Sequence, residues 1–306
     1  MANIVHYKNG NYTAMLDLDN GTKIRYNNED KLIPEFPESI DIKITNRCNG
    51  VYGKVCEFCH EKSTPNGKHG DIMTAKFVDT LHPYTELAIG GGNVLTHPDL
   101  IPFLNKCKKL KLVPNITVHQ RHFMGNFDIL KKLCDEKLIY GLGVSYASLH
   151  PFEFFDFVDK ITQIPNAVIH VINGMVTWSN LMALSSRNLK ILILGYKQFG
   201  RGIDYYNYNG LNIECLKAEL YDWLPKIIEE EWFDVVSFDN LAIEQLDVKR
   251  LMSDNEWDKF YMGNDAQYTM YVDCVNKQFA KNSTSNERYD LMDNIVDMFN
   301  IIRVEN

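Results

Sequence analysis

The chain has 306 residues, 45% of them hydrophobic and 24% charged, enough to bury a sizeable core in one large domain or a domain with additions. Its formal net charge of −8 argues against broad electrostatic binding of nucleic acid or an anionic membrane. No apolar stretch reaches the roughly 18 residues of a membrane span, and no N-terminal run joins a basic segment to a long apolar one. Neither a membrane span nor a signal peptide is expected, and seven cysteines without a regular framework fit a reducing, cytoplasmic setting.

In chain order, two alternating runs within 11–26 flank Asp19-Asn20-Gly21. Asn-Gly tolerates positive φ at both central turn positions, so an N-terminal β-hairpin extension over 1–36 is expected. Pro34 and Pro37 mark the linker into the first core strand. Short apolar runs then alternate with amphipathic ones. Strands are expected at 39–45, 86–90, 115–119, 140–145, 167–172, 190–194 and 234–238. Helices are expected near 74–82, 98–111, 126–137, 152–163, 177–187 and 213–231. In the second, Leu100, Ile101, Leu104 and Cys107 recur at helical spacing opposite Lys106, Lys108 and Lys109.

Such alternation implies an α/β class with a parallel sheet and right-handed crossovers over 37–240. Six or so units fit a partial or complete (β/α) barrel, with active residues at the strand C-termini. A doubly wound open sheet is the other architecture that the same periodicity allows. After Asp239 the alternation stops. A C-terminal α+β extension over 241–306 is expected to cover the barrel mouth, with a helical stretch at 240–260, a strand-like stretch at 267–279 and a last helix at 289–302.

The chemistry concentrates after the first core strand, where Ile40, Ile42 and Ile44 alternate. Cys48, Cys56 and Cys59 follow with the spacing C-x7-C-x2-C in a loop rich in Gly and Asn. Thiolates this close suit a soft metal centre better than a disulfide. Four readings stand at this point. They are a structural zinc site completed by His60 or His69, an iron–sulfur cluster with one iron left open, a catalytic thiol, and three unrelated cysteines.

Two further features bear on the choice. Phe58 precedes the third cysteine, and the next strand runs straight into Gly90-Gly91-Gly92, where bare backbone meets a ligand closely. Jointly these resemble the radical S-adenosylmethionine (SAM) superfamily over about residues 38–240. That family's usual spacing is C-x3-C-x2-C, with an acidic residue after the glycines. Here the first spacing is seven and Asn93 follows Gly92. The resemblance names no subfamily.

The resemblance implies an oxygen-sensitive enzyme on a TIM-like barrel. Cys48, Cys56 and Cys59 would ligate three irons of a [4Fe–4S] cluster, and SAM would chelate the fourth. An electron from the cluster would cleave SAM to a 5′-deoxyadenosyl radical that abstracts a substrate hydrogen, the cofactors supplying the hard chemistry. Phe58 would lie beside the adenine, while Gly90, Gly91, Gly92 and Asn93 would approach the methionine end. An electron donor such as a flavodoxin or ferredoxin is implied as a partner. The substrate stays open between a peptide or protein side chain and a small metabolite or nucleotide.

Polar groups at later strand ends are candidates for the SAM ribose and carboxylate: His119, Gln120, Ser145 and Asn173, with Gly195 for the adenine. Asn and Ser also favour such positions as turn or cap residues. His60, Asp239 and Asn240 are the candidate substrate contacts, and Arg201, Tyr205, Tyr206 and Tyr208 fall in an expected Gly-rich loop. Cys107 and Cys134 read as small hydrophobes on helix faces. The contrasting class is a zinc-stabilised binding module.

Overall fold

A sheet of ten strands organises the chain, and a separate three-stranded sheet precedes it. The computed structural model describes residues 3–29, 31–51 and 53–303. The small sheet is an antiparallel meander of β1 (Ile4–Asn9), β2 (Tyr12–Asp17) and β3 (Lys23–Tyr26). The hairpin expected around Asn20-Gly21 joins β2 to β3, but through a longer loop over 18–22 in which Gly21 has φ +80° and Asn20 is not left-handed. β1 was not expected, because its IVHYKN run carries its burial on Tyr7 and Asn9 rather than on the aliphatic residues.

The main sheet opens with β4 (Ser39–Thr45), β5 (Glu86–Gly91), β6 (Val113–His119), β7 (Gly141–Ser145), β8 (Ala167–Ile172), β9 (Lys190–Leu194) and β10 (Val235–Phe238). All seven expected core strands form. They lie side by side in sequence order and pair in parallel. A doubly wound sheet reverses its strand order at a switch point. These seven strands run in one direction without such a switch, and the order turns back only at their first strand, where the tail joins the sheet. Among the described residues the sheet does not close, and β10 is one of its edges.

The crossovers carry α1 (Leu100–Lys109), α2 (Gln120–Gly125), α3 (Phe127–Asp135), α4 (Pro151–Ile161), α5 (Trp178–Leu184) and α6 (Arg201–Glu229). Before β5 the chain makes only a short 3-10 turn at Lys76–Thr80, where a longer helix was expected. In α1, Leu100, Leu104 and Cys107 are buried as read, but Ile101 is exposed and Phe103 takes the core position. The helix expected at 213–231 starts a dozen residues earlier. Tyr205, Tyr206 and Tyr208 therefore sit on α6 rather than in a loop. One continuous core joins the helices to Ile40, Ile42, Ile44, Leu87, Ile89, Ile116, Ile169 and Ile191. The alternate residues, Asp41, Lys43, Ala88, Asn115, Thr117 and His170 among them, lie on the opposite face.

Beyond β10 come α7 (Asn240–Gln245) and α8 (Asp254–Phe260), then β11 (Thr269–Asp273), β12 (Gln278–Ala280), β13 (Tyr289–Asp290) and α9 (Ile295–Ile302). β11 pairs in parallel with β4, and β12 and β13 continue antiparallel to the second edge. The tail thus extends the main sheet beside the first core strand. The small sheet packs at the other end of that strand. A second core joins Tyr7, Tyr12, Leu16 and Phe36 to Val113, at the start of β6, and to Tyr268, just before β11.

Candidate functional site

The cysteine loop leaves the C-terminal end of β4 and returns beside its own root. The Cys48 amide donates to the Thr64 carbonyl at 2.8 Å, and the Thr64 amide to that of Asn46 at 3.0 Å. Cys48, Cys56 and Cys59 are all half-buried and unpaired by disulfides. Burial pushes the Cys56 thiol up, its neighbours Cys59 and Cys48 add to the shift, and Arg201 opposes it. The Cys56 thiol therefore lies near both of the others.

The glycines after β5 divide their work. A Cβ on Gly90 would meet no atom within 4 Å, so its Cα faces open space. On Gly91, whose φ is +114°, a Cβ would strike the Thr45 carbonyl oxygen at 2.2 Å, and on Gly92 the Arg47 carbonyl oxygen at 2.3 Å. The amides of Gly92 and Asn93 donate to those same carbonyls at 2.7 and 2.8 Å. Gly91 and Gly92 thus clamp the root of the cysteine loop, and Gly90 leaves room beside it. The Asn93 side chain accepts from the Leu95 amide, capping a short turn.

The structure spreads the other candidates between open and committed positions. Phe58 meets the edge of Tyr205, ring centres 5.8 Å apart. His119 and Ser145 pair across β6 and β7 and are half-buried. His119 Nδ1 accepts the Arg121 amide, and burial followed by His122 and Arg121 pushes its pKa down to about 4, so the ring is neutral. Gln120 is buried, with its amide committed to Ala147 and Ser148. Asn173 is buried too. Its amide nitrogen donates to Gln245, and its Oδ1 lacks a partner. At Gly195 a Cβ would strike Leu241 at 2.4 Å, so close helix packing accounts for that glycine.

Asp239 caps α7: its Oδ1 accepts from the Ala242 and Gly195 amides, both at 2.8 Å. Asn240 donates to Asp265 at 2.7 Å. His60 Nε2 lies 3.4 Å from Glu61, with burial and then Lys197 depressing its pKa. His69 turns to the Thr45 hydroxyl at 3.0 Å. Among the described residues no three His, Cys, Asp or Glu side chains converge tightly enough to hold a single metal ion. The tetrahedral zinc arrangement with His60 or His69 is therefore not preformed.

Sequence reasoning missed a buried ionic group next to this loop. Lys43 Nζ lies 2.7 Å from Glu61 and 3.1 Å from Asp273. Tyr271 donates to Glu61 at 3.1 Å. Burial raises the Glu61 carboxyl, but His60 and Lys43 outweigh it and hold the pKa at about 2. Two residues before Lys43, Asp41 is open to solvent, and its side chain has no hydrogen bond or ion pair among the described residues. Desolvation by the surrounding protein, with Asp265, Asp239 and Glu61 adding to it, pushes its carboxyl up to about 6, and Lys197 partly offsets this. The signal was the period-two placement of Asp41, Lys43 and Thr45 opposite the isoleucines of β4.

No protein-family model and no curated protein matches the chain. Solved structures do. SuiB from Streptococcus suis bound to precursor peptide SuiA aligns with TM-score 0.61 at 13% identity, over 97% of this chain and 87% of that one. SuiB bound to S-adenosylmethionine aligns with TM-score 0.59, also at 13%, over 97% and 86%. At this identity the likeness is one of fold. The chain is thus similar in fold to a protein crystallised with S-adenosylmethionine and with a precursor peptide.

Proposed function

We propose that this chain is a cytoplasmic radical SAM enzyme whose seven sequential parallel strands form a partial (β/α) barrel. One observation carries the reading: three thiols cluster at the C-terminal end of the first core strand, beside an open backbone position at Gly90. The donor set fits the cofactor, since three soft thiolates suit a [4Fe–4S] cluster with one iron left for SAM. Cys48, Cys56 and Cys59 would hold the cluster, which when bound supplies the electron that cleaves SAM to a 5′-deoxyadenosyl radical.

The chain's own residues bind and orient. Gly90 makes room for the methionine end, and Phe58, buttressed by Tyr205, offers an apolar edge for the adenine. His119 and Ser145 present polar groups at adjacent strand ends, and neutral His119, its Nδ1 taken by the Arg121 amide, can donate through Nε2 without a charge. Lys43, Glu61 and Tyr271 fix the loop after Cys59, while Asp41 offers an uncommitted carboxylate on the same sheet face. The likeness to a structure holding a precursor peptide favours a peptide substrate over a small metabolite or nucleotide. A flavodoxin or ferredoxin would supply the electron.

The test is anaerobic reconstitution with iron and sulfide, then reduction in the presence of SAM. The expected product is 5′-deoxyadenosine, absent when Cys48, Cys56 or Cys59 is replaced by Ala. A colourless protein that binds zinc and leaves SAM intact would overturn the reading.

A further inference from the structure

The start of α6 reaches across from the end of β9 to the cysteine loop. Its first helical residue, Arg201, makes three bonds there. The Arg201 amide donates to the Cys59 carbonyl at 3.1 Å, Nε to the Cys56 carbonyl at 3.0 Å, and Nη2 to the Ser63 carbonyl at 2.9 Å. One side chain thus binds backbone on both sides of Cys59. The flanking residues are shaped for this approach. Gly200 has φ +61°, and a Cβ there would strike the His60 carbonyl oxygen at 2.1 Å. At Gly202 a Cβ would strike the Lys197 carbonyl oxygen at 2.3 Å, and the Tyr196 hydroxyl donates to the Gly202 carbonyl at 2.9 Å. The electrostatics follow the geometry. A guanidinium is always charged, and a helix N-terminus adds partial positive charge on the same side.

We propose that Arg201 is a positioning residue that holds residues 56–63 against the α6 N-terminus and places a fixed positive charge beside the thiolates. This rests on the reading of those thiolates as cluster ligands. The two roles separate by chemistry. Holding needs the planar fork that reaches two carbonyls, which a lysine ammonium cannot reproduce. Tuning needs only the charge. A cation beside an iron–sulfur cluster favours its more negative, reduced form, so the charge raises the reduction potential.

The experiment compares wild type, Arg201→Lys and Arg201→Met in the full chain. The first readout is amide hydrogen exchange on metal-free, reduced protein. Amides of 56–63 are expected to exchange at least about tenfold faster in both variants, with those of β5 to β8 unchanged, since two side-chain bonds that hold the loop are lost. Unchanged protection in either variant overturns the holding role, and Arg201→Lys decides it if Arg201→Met does not fold. The second readout is the midpoint potential after reconstitution, at matched iron and sulfide content. Arg201→Met is expected to shift to a more negative potential while Arg201→Lys stays near wild type. A merely structural arginine would lower cluster content and leave the potential alone. Coincident potentials for Arg201→Met and wild type, or an Arg201→Lys potential that falls with Arg201→Met, overturn the tuning role. A wild type that takes up no cluster overturns the tuning role together with the proposed function, while hydrogen exchange still decides the holding role.

Discussion

Two buried ionic groups stand at opposite ends of β4, and they differ in what they leave open. At the N-terminal end, Glu38 is 1% exposed. It accepts from Arg25 through Nε and Nη2, from the Tyr12 hydroxyl, and pairs with Lys23 at 3.2 Å. Lys23 turns its remaining capacity to Glu86. Every charge there is matched, and the group seals the small sheet onto the main one. At the C-terminal end, Lys43 is shared between Glu61 and Asp273, with Tyr271 donating to Glu61, while Asp41 and His60 beside them stay within reach of solvent. A closed network specifies structure, whereas one beside an uncommitted carboxylate can still take a ligand.

The largest effect expected is at the closed end. Glu38→Gln leaves Lys23 and Arg25 buried without their carboxylate and should cost roughly 3–5 kcal/mol in chemical denaturation. The pH dependence has a definite sign. Lys23 and Arg25 outweigh the burial of Glu38 and hold its carboxyl below the ordinary range of 4.5. Its stabilisation is therefore complete above that pH and lost as the pH falls through the depressed folded value. Glu61 behaves likewise between 4.5 and about 2. Acid titration of stability should be flatter in Glu38→Gln than in wild type.

At the open end, Lys43→Met leaves Glu61 and Asp273 facing each other, yet Glu61 keeps Tyr271 and His60. The expected loss is smaller, about 2–3 kcal/mol, and an equal loss at the two ends would erase the contrast. The glycines sharpen it further. Gly91→Ala, at φ +114° with a carbonyl in the way, should cost about 1–3 kcal/mol. Gly90→Ala should leave stability within about 0.5 kcal/mol while weakening SAM binding by calorimetry. Normal SAM affinity in Gly90→Ala would remove Gly90 from the site.

The smallest effect is at Asp41, whose raised pKa reverses the sign: its ionisation costs stability as the pH climbs from 3.8 to about 6. Asp41→Asn should therefore stabilise the fold above pH 6, by less than about 1 kcal/mol because the group is open to solvent. A destabilised variant would show that Asp41 is structural after all.

Much of this was legible beforehand. The core strands were readable because each is a short apolar run bounded by polar turns, and the proximity of Cys48, Cys56 and Cys59 was readable because their spacing is local. Arg201, Tyr205 and Tyr206 were placed in a loop because Gly200, Gly202 and Gly210 weaken helix propensity. Tertiary docking on the cysteine loop overrides that propensity and starts α6 at Arg201. Gln120 and Asn173 were read as ligand candidates from strand-end position, which cannot show that an amide is already committed or buried.

The sequence by itself determined what travels with local pattern: the alternation of strands and helices, the Asn-Gly turn, the thiol triad and the glycine run. The tertiary structure alone decided the sequential order of β4 to β10, the pairing of β11 with β4, and the meeting of Lys43 with Asp273 across 230 residues of chain. The physical reason is range. Propensity and periodicity act over a turn or two, whereas ion pairs and strand neighbours are chosen by which buried groups must find partners once the whole core has closed.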